Sequence, residues 1–130
     1  MSHDEANAIL NESAGWKPGQ KCAGAGLPTD WFSKCLVCHL GPESDGLMVE
    51  HPAQPIDYFG PETPELLWQV KLLKDEFVHQ THSYVEVLTS PQESTPFCCF
   101  AGTHDRWKWS AVESHAVALA IAEALKENQK

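Results

Sequence analysis

The residues best equipped for chemistry are Cys35-Leu36-Val37-Cys38, with Cys22 upstream and His39 and His51 downstream. Two thiolates separated by two residues can grip one Zn²⁺ from a tight turn, and a structural zinc site completes a tetrahedron of four N or S ligands. The chain has a single Cys-x-x-Cys pair, so the other ligands must come from Cys22, His39, His51 or the distant Cys98 and Cys99. His39 follows Cys38 directly and cannot easily aim at the same ion. The candidate metal ligands are therefore Cys22, Cys35, Cys38 and His51, with zinc as the cofactor. The competing reading makes Cys35 and Cys38 small buried hydrophobes beneath a loop, and one pair leaves both readings open.

Other thiol and histidine chemistry is less well supported. Residues 35–39 match the attachment motif for c-type haem, which needs an exported protein. Residues 1–10 lack a positive region followed by an apolar run. Thiol-disulfide exchange needs the first cysteine at a helix N-terminus, and Gly41-Pro42 interrupts any helix after Cys38. Cys98 and Cys99 are adjacent, so on a strand they point to opposite faces, one into the core and one towards a second layer or solvent. With His82 or His104 as base either could be a nucleophile, but no nucleophile turn surrounds them, and core thiols are the simpler reading. His79, His82 and His104 fall near expected strand ends and read as exposed polar residues at a sheet rim. Glu86 and Asp105 can pair with Arg106 or Lys108, while acid-base work would need a cleft. No coherent catalytic set emerges, which favours a non-enzymatic protein.

Ser2 and Glu5 have capping-box spacing ahead of Ala6, Ile9 and Leu10, which predicts a helix over residues 3–13 ended near Gly15. Residues 16–61 are rich in Gly and Pro, with short extended pieces at 35–39 and 47–51. So long an irregular segment needs a local reason to be ordered, and a metal would be one. Thr63-Pro64-Glu65 starts a second helix, with Leu66, Leu67, Val70, Leu73 and Phe77 on one face, running to about Asp75. Trp68 sits on its flank. Residues 83–88, 97–101 and 106–109 read as antiparallel strands. Ser110 and Glu113 repeat the capping-box spacing before a final helix with Val117, Ile121, Ala124 and Leu125 inside. The expected fold is one α+β domain over residues 1–130. A small antiparallel sheet packs with helices as an α/β/α-type sandwich, and the N-terminal third is loop-rich.

Two stretches carry a family likeness. Ile56-Asp57-Tyr58-Phe59 leads into Pro64-Glu65-Leu66-Leu67-Trp68-Gln69-Val70-Lys71-Leu72-Leu73, and Ala116-Val117-Ala118-Leu119-Ala120-Ile121-Ala122-Glu123-Ala124-Leu125 forms an alanine-rich C-terminal helix. Over about residues 56–127 the chain resembles the phage ABA-sandwich domain family of small phage and prophage proteins. The resemblance implies a sheet packed with helices and a phage or prophage origin, and it carries over no catalytic residue. Residues 16–55 depart from it.

A chain of 130 residues suits one core, and a hydrophobic share of 42% with five Trp and five Phe supplies it. The formal charge of -9 disfavours general nucleic-acid binding and anionic membrane surfaces. No window approaches the ~18 apolar residues of a membrane span. A cytoplasmic protein with reduced thiols is expected. Arg106-Trp107-Lys108-Trp109 is the one place where cations and aromatics interleave, so Arg106, Trp107 and Trp109 are the candidate binding residues. Their plainer reading is a half-buried strand. The expected function is that of a phage- or prophage-encoded accessory protein, which binds a host protein or a small signalling molecule, counter-defence included, as a monomer or homo-oligomer. The alternatives are a zinc-stabilised protein or Cys/zinc-dependent enzyme, and a virion-associated structural protein.

Overall fold

Ser2 Oγ accepts the Glu5 N–H at 3.1 Å and starts α1 (His3–Ala14). The Glu5 carboxylate does not return to close the box; it meets Lys126 Nζ at 2.6 Å, tying the two ends of the chain together. Gly15, at φ 77°, ends the helix: its N–H reaches Glu12 O and the Trp16 N–H reaches Asn11 O at 3.0 Å. That left-handed cap is cheap only for a residue without Cβ. The computed structural model describes residues 1–22, 35–38, 49–89, 94–102 and 107–128, with the side chains of Lys21, Cys22, Val49 and Asn128 outside the description.

Two short strands, β1 (Lys21–Cys22) and β2 (Val49–Glu50), pair antiparallel. Helix α2 (Pro64–Thr81) begins as its sequence dictates, with Thr63 Oγ1 accepting the Leu66 N–H at 3.2 Å and Pro64 in the first turn. It runs past the expected end at Asp75, because Phe77 extends the buried stripe of Leu66, Val70 and Leu73. It stops at His82, φ 53°, whose N–H bonds Val78 O at 2.9 Å. His79 therefore lies in the last helical turn and His82 caps it, rather than both flanking a strand; both are exposed, as polar rim residues should be.

Strands β3 (Val85–Thr89), β4 (Phe97–Ala101) and β5 (Lys108–Ser110) form an antiparallel sheet in the order β3-β4-β5. Side-chain alternation gives it two different faces. The inner face presents Val85, Val87, Phe97, Cys99 and Ala101 to the core, and Lys108 reaches from it to Glu123 at 3.4 Å. The outer face carries the in-register row Leu88, Cys98 and Trp109, with Phe100 against Trp107 at 5.6 Å between ring centroids. No helix covers that outer face among the described residues.

Ser110 Oγ accepts the Val112 N–H at 3.1 Å, two residues on, so a tight serine turn stands where the sequence suggested a capping box with Glu113. Helix α3 (Glu113–Asn128) follows and is central: the sheet, α1 and α2 all pack against it. Ala116, Ala118, Ala120, Ala122 and Ala124 are all buried, and such short side chains let three neighbours approach one helix. The fold class is α+β with a small antiparallel sheet packed against helices, as expected, but among the described residues the helices lie on the inner face only, because α1 and α2 pack on α3, so the second helical layer of an α/β/α sandwich is not seen.

Candidate metal centre

Residues 36–38 form a turn, not the extended piece expected from residue 35 onward, and His39 lies outside the described residues. On a strand, side chains three apart would point to opposite faces; the turn brings Cys35 and Cys38 to one side. The Val37 N–H points at Cys35 Sγ at 3.4 Å, an orientation that favours the thiolate. From the other side, Gln69 on α2, only 6% exposed, donates from Nε2 to Val37 O at 2.9 Å. The pair is thus held by its own backbone and by the second helix.

His51 follows β2 directly. Its N–H bonds Gln20 O at 2.8 Å, and the Trp16 indole donates to Pro52 O at 3.0 Å, so the end of α1 fixes the chain beside it. The His51 ring is 1% exposed, and burial holds it below the usual histidine range, in the neutral form that has a lone pair for a metal.

The three ligand atoms of Cys35, Cys38 and His51 lie within 4.8 Å of one another, and Cys35 Sγ is 3.7 Å from His51 Nε2. A tetrahedral zinc with bonds of about 2.3 Å to S and 2.0 Å to N sets S and N about 3.6 Å apart, and two sulfurs about 3.8 Å apart. The Cys35–His51 spacing is already of that size, and the widest pair has at most about 1 Å to close. The donor set of two sulfurs and an imidazole suits zinc among common ions. On the ring's other side, His51 Nδ1 is buried without a hydrogen-bond partner among the described residues. Together Cys35, Cys38 and His51 can hold a metal ion.

No protein-family model matches this chain, and no curated protein or solved structure matches it. What the site can do rests on its own geometry.

Of the candidate ligands, Cys22 is described by its backbone alone. It stands opposite Val49 in the β1–β2 ribbon. Continuing that register sets position 20 against His51, so positions 22 and 51 fall diagonally on one face of the ribbon. Cys98 and Cys99 join no metal-ligand group among the described residues. Cys99 is fully buried in the core, and burial pushes its thiol up to about 12. Cys98 is 5% exposed on the opposite face, in the row between Leu88 and Trp109. Trp107 and Trp109 are exposed on that face, at 37% and 44%, while Arg106, His104 and Asp105 lie outside the described residues. Among the described residues no helix is long and apolar enough to cross a membrane.

Sequence reasoning missed the residues that position the site. Asn11 on α1 donates from Nδ2 to Ile56 O at 2.8 Å and accepts the Ile56 N–H on Oδ1 at 2.9 Å, copying a strand pairing. One turn earlier, Asn7 Oδ1 accepts the Tyr58 N–H at 3.0 Å. These bonds carry the fully buried Tyr58 into the core. Two asparagines spaced i, i+4 beside the apolar stripe of a short helix were the available signal.

Proposed function

We propose that this chain is a zinc-stabilised, non-enzymatic binding module. The observation that carries the reading is the convergence of Cys35, Cys38 and His51 within 4.8 Å. A zinc held by these residues would be structural if a fourth ligand closed its tetrahedron, and Cys22 is the candidate for that position that the sequence offers. Such an ion would join residues 35–38 to the chain after β2, and its binding energy would become folding energy. An enzyme would instead keep one coordination position open for water or substrate.

The contact surface in this reading is the outer face of the three-stranded sheet, where Leu88, Trp107 and Trp109 are 50%, 37% and 44% exposed. Clustered aromatics are what interfaces concentrate at their centres. The formal charge of -9, with Glu86 on the same face, favours a partner with a basic and partly apolar protein surface, whose Lys or Arg groups can stack on the indoles. Among the cavities described, the two widest hold about 270 Å³ each, one beside Leu67 and Trp68 and one beside Asp57 and Gln69, and both are open to solvent, while the better enclosed one between Leu36, Phe77 and Ile121 holds about 70 Å³. Ligand pockets run to about 300–1,000 Å³, so a protein surface suits the single chain better than a small molecule. By the resemblance in its sequence, such a module would serve a phage or prophage as an accessory protein acting on a host protein, counter-defence included.

Limited proteolysis with and without a zinc chelator tests the reading. The zinc-loaded protein should resist cleavage within residues 16–61 and be cut there after chelation. An identical digestion pattern in both conditions would contradict it.

A further inference from the structure

We propose that the open edge of β3 pairs with β3 of a second copy of this chain, joining the two three-stranded sheets into one continuous sheet across a two-fold axis. In the order β3-β4-β5, β3 and β5 each have one side with no strand beside it among the described residues. The Gly102 N–H bonds Tyr84 O at 2.9 Å, one step beyond the pair Val85–Ala101, and this sets the phase of the β3–β4 ladder. Hydrogen-bonded and non-hydrogen-bonded residues alternate in an antiparallel pair. Tyr84, Glu86 and Leu88 therefore turn their backbone groups to β4, and Val85, Val87 and Thr89 turn theirs to the open side.

Proteins blunt such edges with very short strands, lysine, proline, bulges or charges that point inward. β5 uses two of these devices: it has three residues, and Lys108 points inward to Glu123. β3 lacks them. It runs for five residues, pairs one-to-one with β4 without a bulge, and its sequence Val-Glu-Val-Leu-Thr holds neither lysine nor proline. Its one charge, Glu86, selects the partner and the register.

Only Val85, Val87 and Thr89 can bond across the new seam, so they must meet one another. Centred on Val87, an antiparallel seam sets Val87 against Val87 of the second copy and Val85 against its Thr89. These contacts lie on the inner face, where Val85 and Val87 are only partly buried. Glu86 then stands opposite Leu88 of the second copy, which is 50% exposed in the single chain, and the two carboxylates are kept apart. A seam centred on Glu86 would set them face to face, a like-charge pair that destabilises strand pairing. A seam centred on Leu88 would leave Val85 unbonded. The strand thus fits its own copy in one register, with all three outward residues paired. The formal charge of -9 on each copy opposes their approach, so salt should strengthen the dimer.

Sedimentation velocity tests the pairing. The wild type should move from monomer to dimer as protein concentration and salt rise. Val87→Pro removes an outward N–H and spares the β3–β4 ladder, since an edge strand accepts a proline whose nitrogen faces away from its neighbour. The variant should keep the native circular dichroism and dimerise about 30-fold more weakly, from the two bonds lost at the centre of the seam. Hydrogen exchange on the wild type gives a reading that needs no variant: the Val87 amide should exchange more slowly as protein concentration rises, while the Glu86 amide, turned to β4, should not change. If Val87→Pro fails to fold, that exchange decides. A wild type that stays monomeric at every concentration and salt, or a dimer that survives in folded Val87→Pro, would overturn the proposal. So would a Val87 amide equally protected in the monomer, which would show the edge to be covered by the chain itself.

Discussion

Replacing Asn11 by alanine should destabilise the protein by about 2–4 kcal/mol, because it strands two backbone groups at once. The side chain is 5% exposed, donates to Ile56 O at 2.8 Å and accepts the Ile56 N–H at 2.9 Å. Truncation leaves that N–H and that carbonyl facing a small gap, and each buried orphan costs about 1–3 kcal/mol. The lower half of that range applies if one water enters the gap. The lost bond to Asn7 O, at 2.8 Å, adds little, since that carbonyl lies inside α1. For a chain of this size 1 kcal/mol moves the melting temperature by about 4 °C, so a drop of roughly 8–16 °C is expected. The assay is thermal denaturation followed by circular dichroism, with zinc held constant because a bound metal shifts the midpoint by mass action. Asn7→Ala is the internal control. Its bond to Asp57 is exposed and its one buried-side duty is the Tyr58 N–H, so it should cost about half as much. An Asn11→Ala variant within about 0.5 kcal/mol of wild type, or no worse than Asn7→Ala, would refute the claim that α1 grips the segment leading to Tyr58.

Acid should weaken the metal-free protein through His51. Burial lowers its folded pKa below the ordinary 6.5, so the unfolded chain takes up the proton first. The stability contributed by keeping His51 neutral is therefore present above about pH 6.5 and declines as the pH falls below it. Urea midpoints taken in chelator at pH 7.5 and pH 5 should fall, and His51→Gln should flatten the difference; a midpoint that rises on acidification contradicts the account. Cys99, whose thiol burial pushes up to about 12, should stay unlabelled by iodoacetamide at pH 8 in the folded protein and label readily in urea. Rapid native labelling at Cys99, located by peptide mass mapping, would show that the core thiol is accessible.

Local signals were legible because they act within a few residues. Ser2 and Thr63 cap the helices that their spacing announced, Gly15 ends the first, and the three strands lie within two residues of where the β-rich runs put them. The Cys-x-x-Cys pair likewise pointed to Cys35 and Cys38, and His51 was reachable, together with Cys22, because His39 cannot easily aim at the same ion. The missed features depend on partners far along the chain. Gln69 meets Val37 across 32 residues, Trp16 meets Pro52 across 36, and Asn11 meets Ile56 across 45. No local period encodes such pairs. The extra turn of α2 was partly legible, since Phe77 already stood in its periodic stripe, whereas its end is set by the left-handed cap at the exposed His82, a conformation that no local signal announced. Ser110 shows the converse: its spacing to Glu113 suited a capping box, and the turn leaving β5 used its hydroxyl first.

The central claim is that Cys35, Cys38 and His51 hold a zinc ion in the folded protein, and native mass spectrometry of the untagged chain tests it most directly. The account predicts a mass heavier by one zinc per chain, lost when Cys35 and Cys38 are both replaced by serine, with the same spectrum reporting the oligomeric state. A wild-type protein that stays metal-free in excess zinc, or a double variant that keeps its zinc, would contradict it.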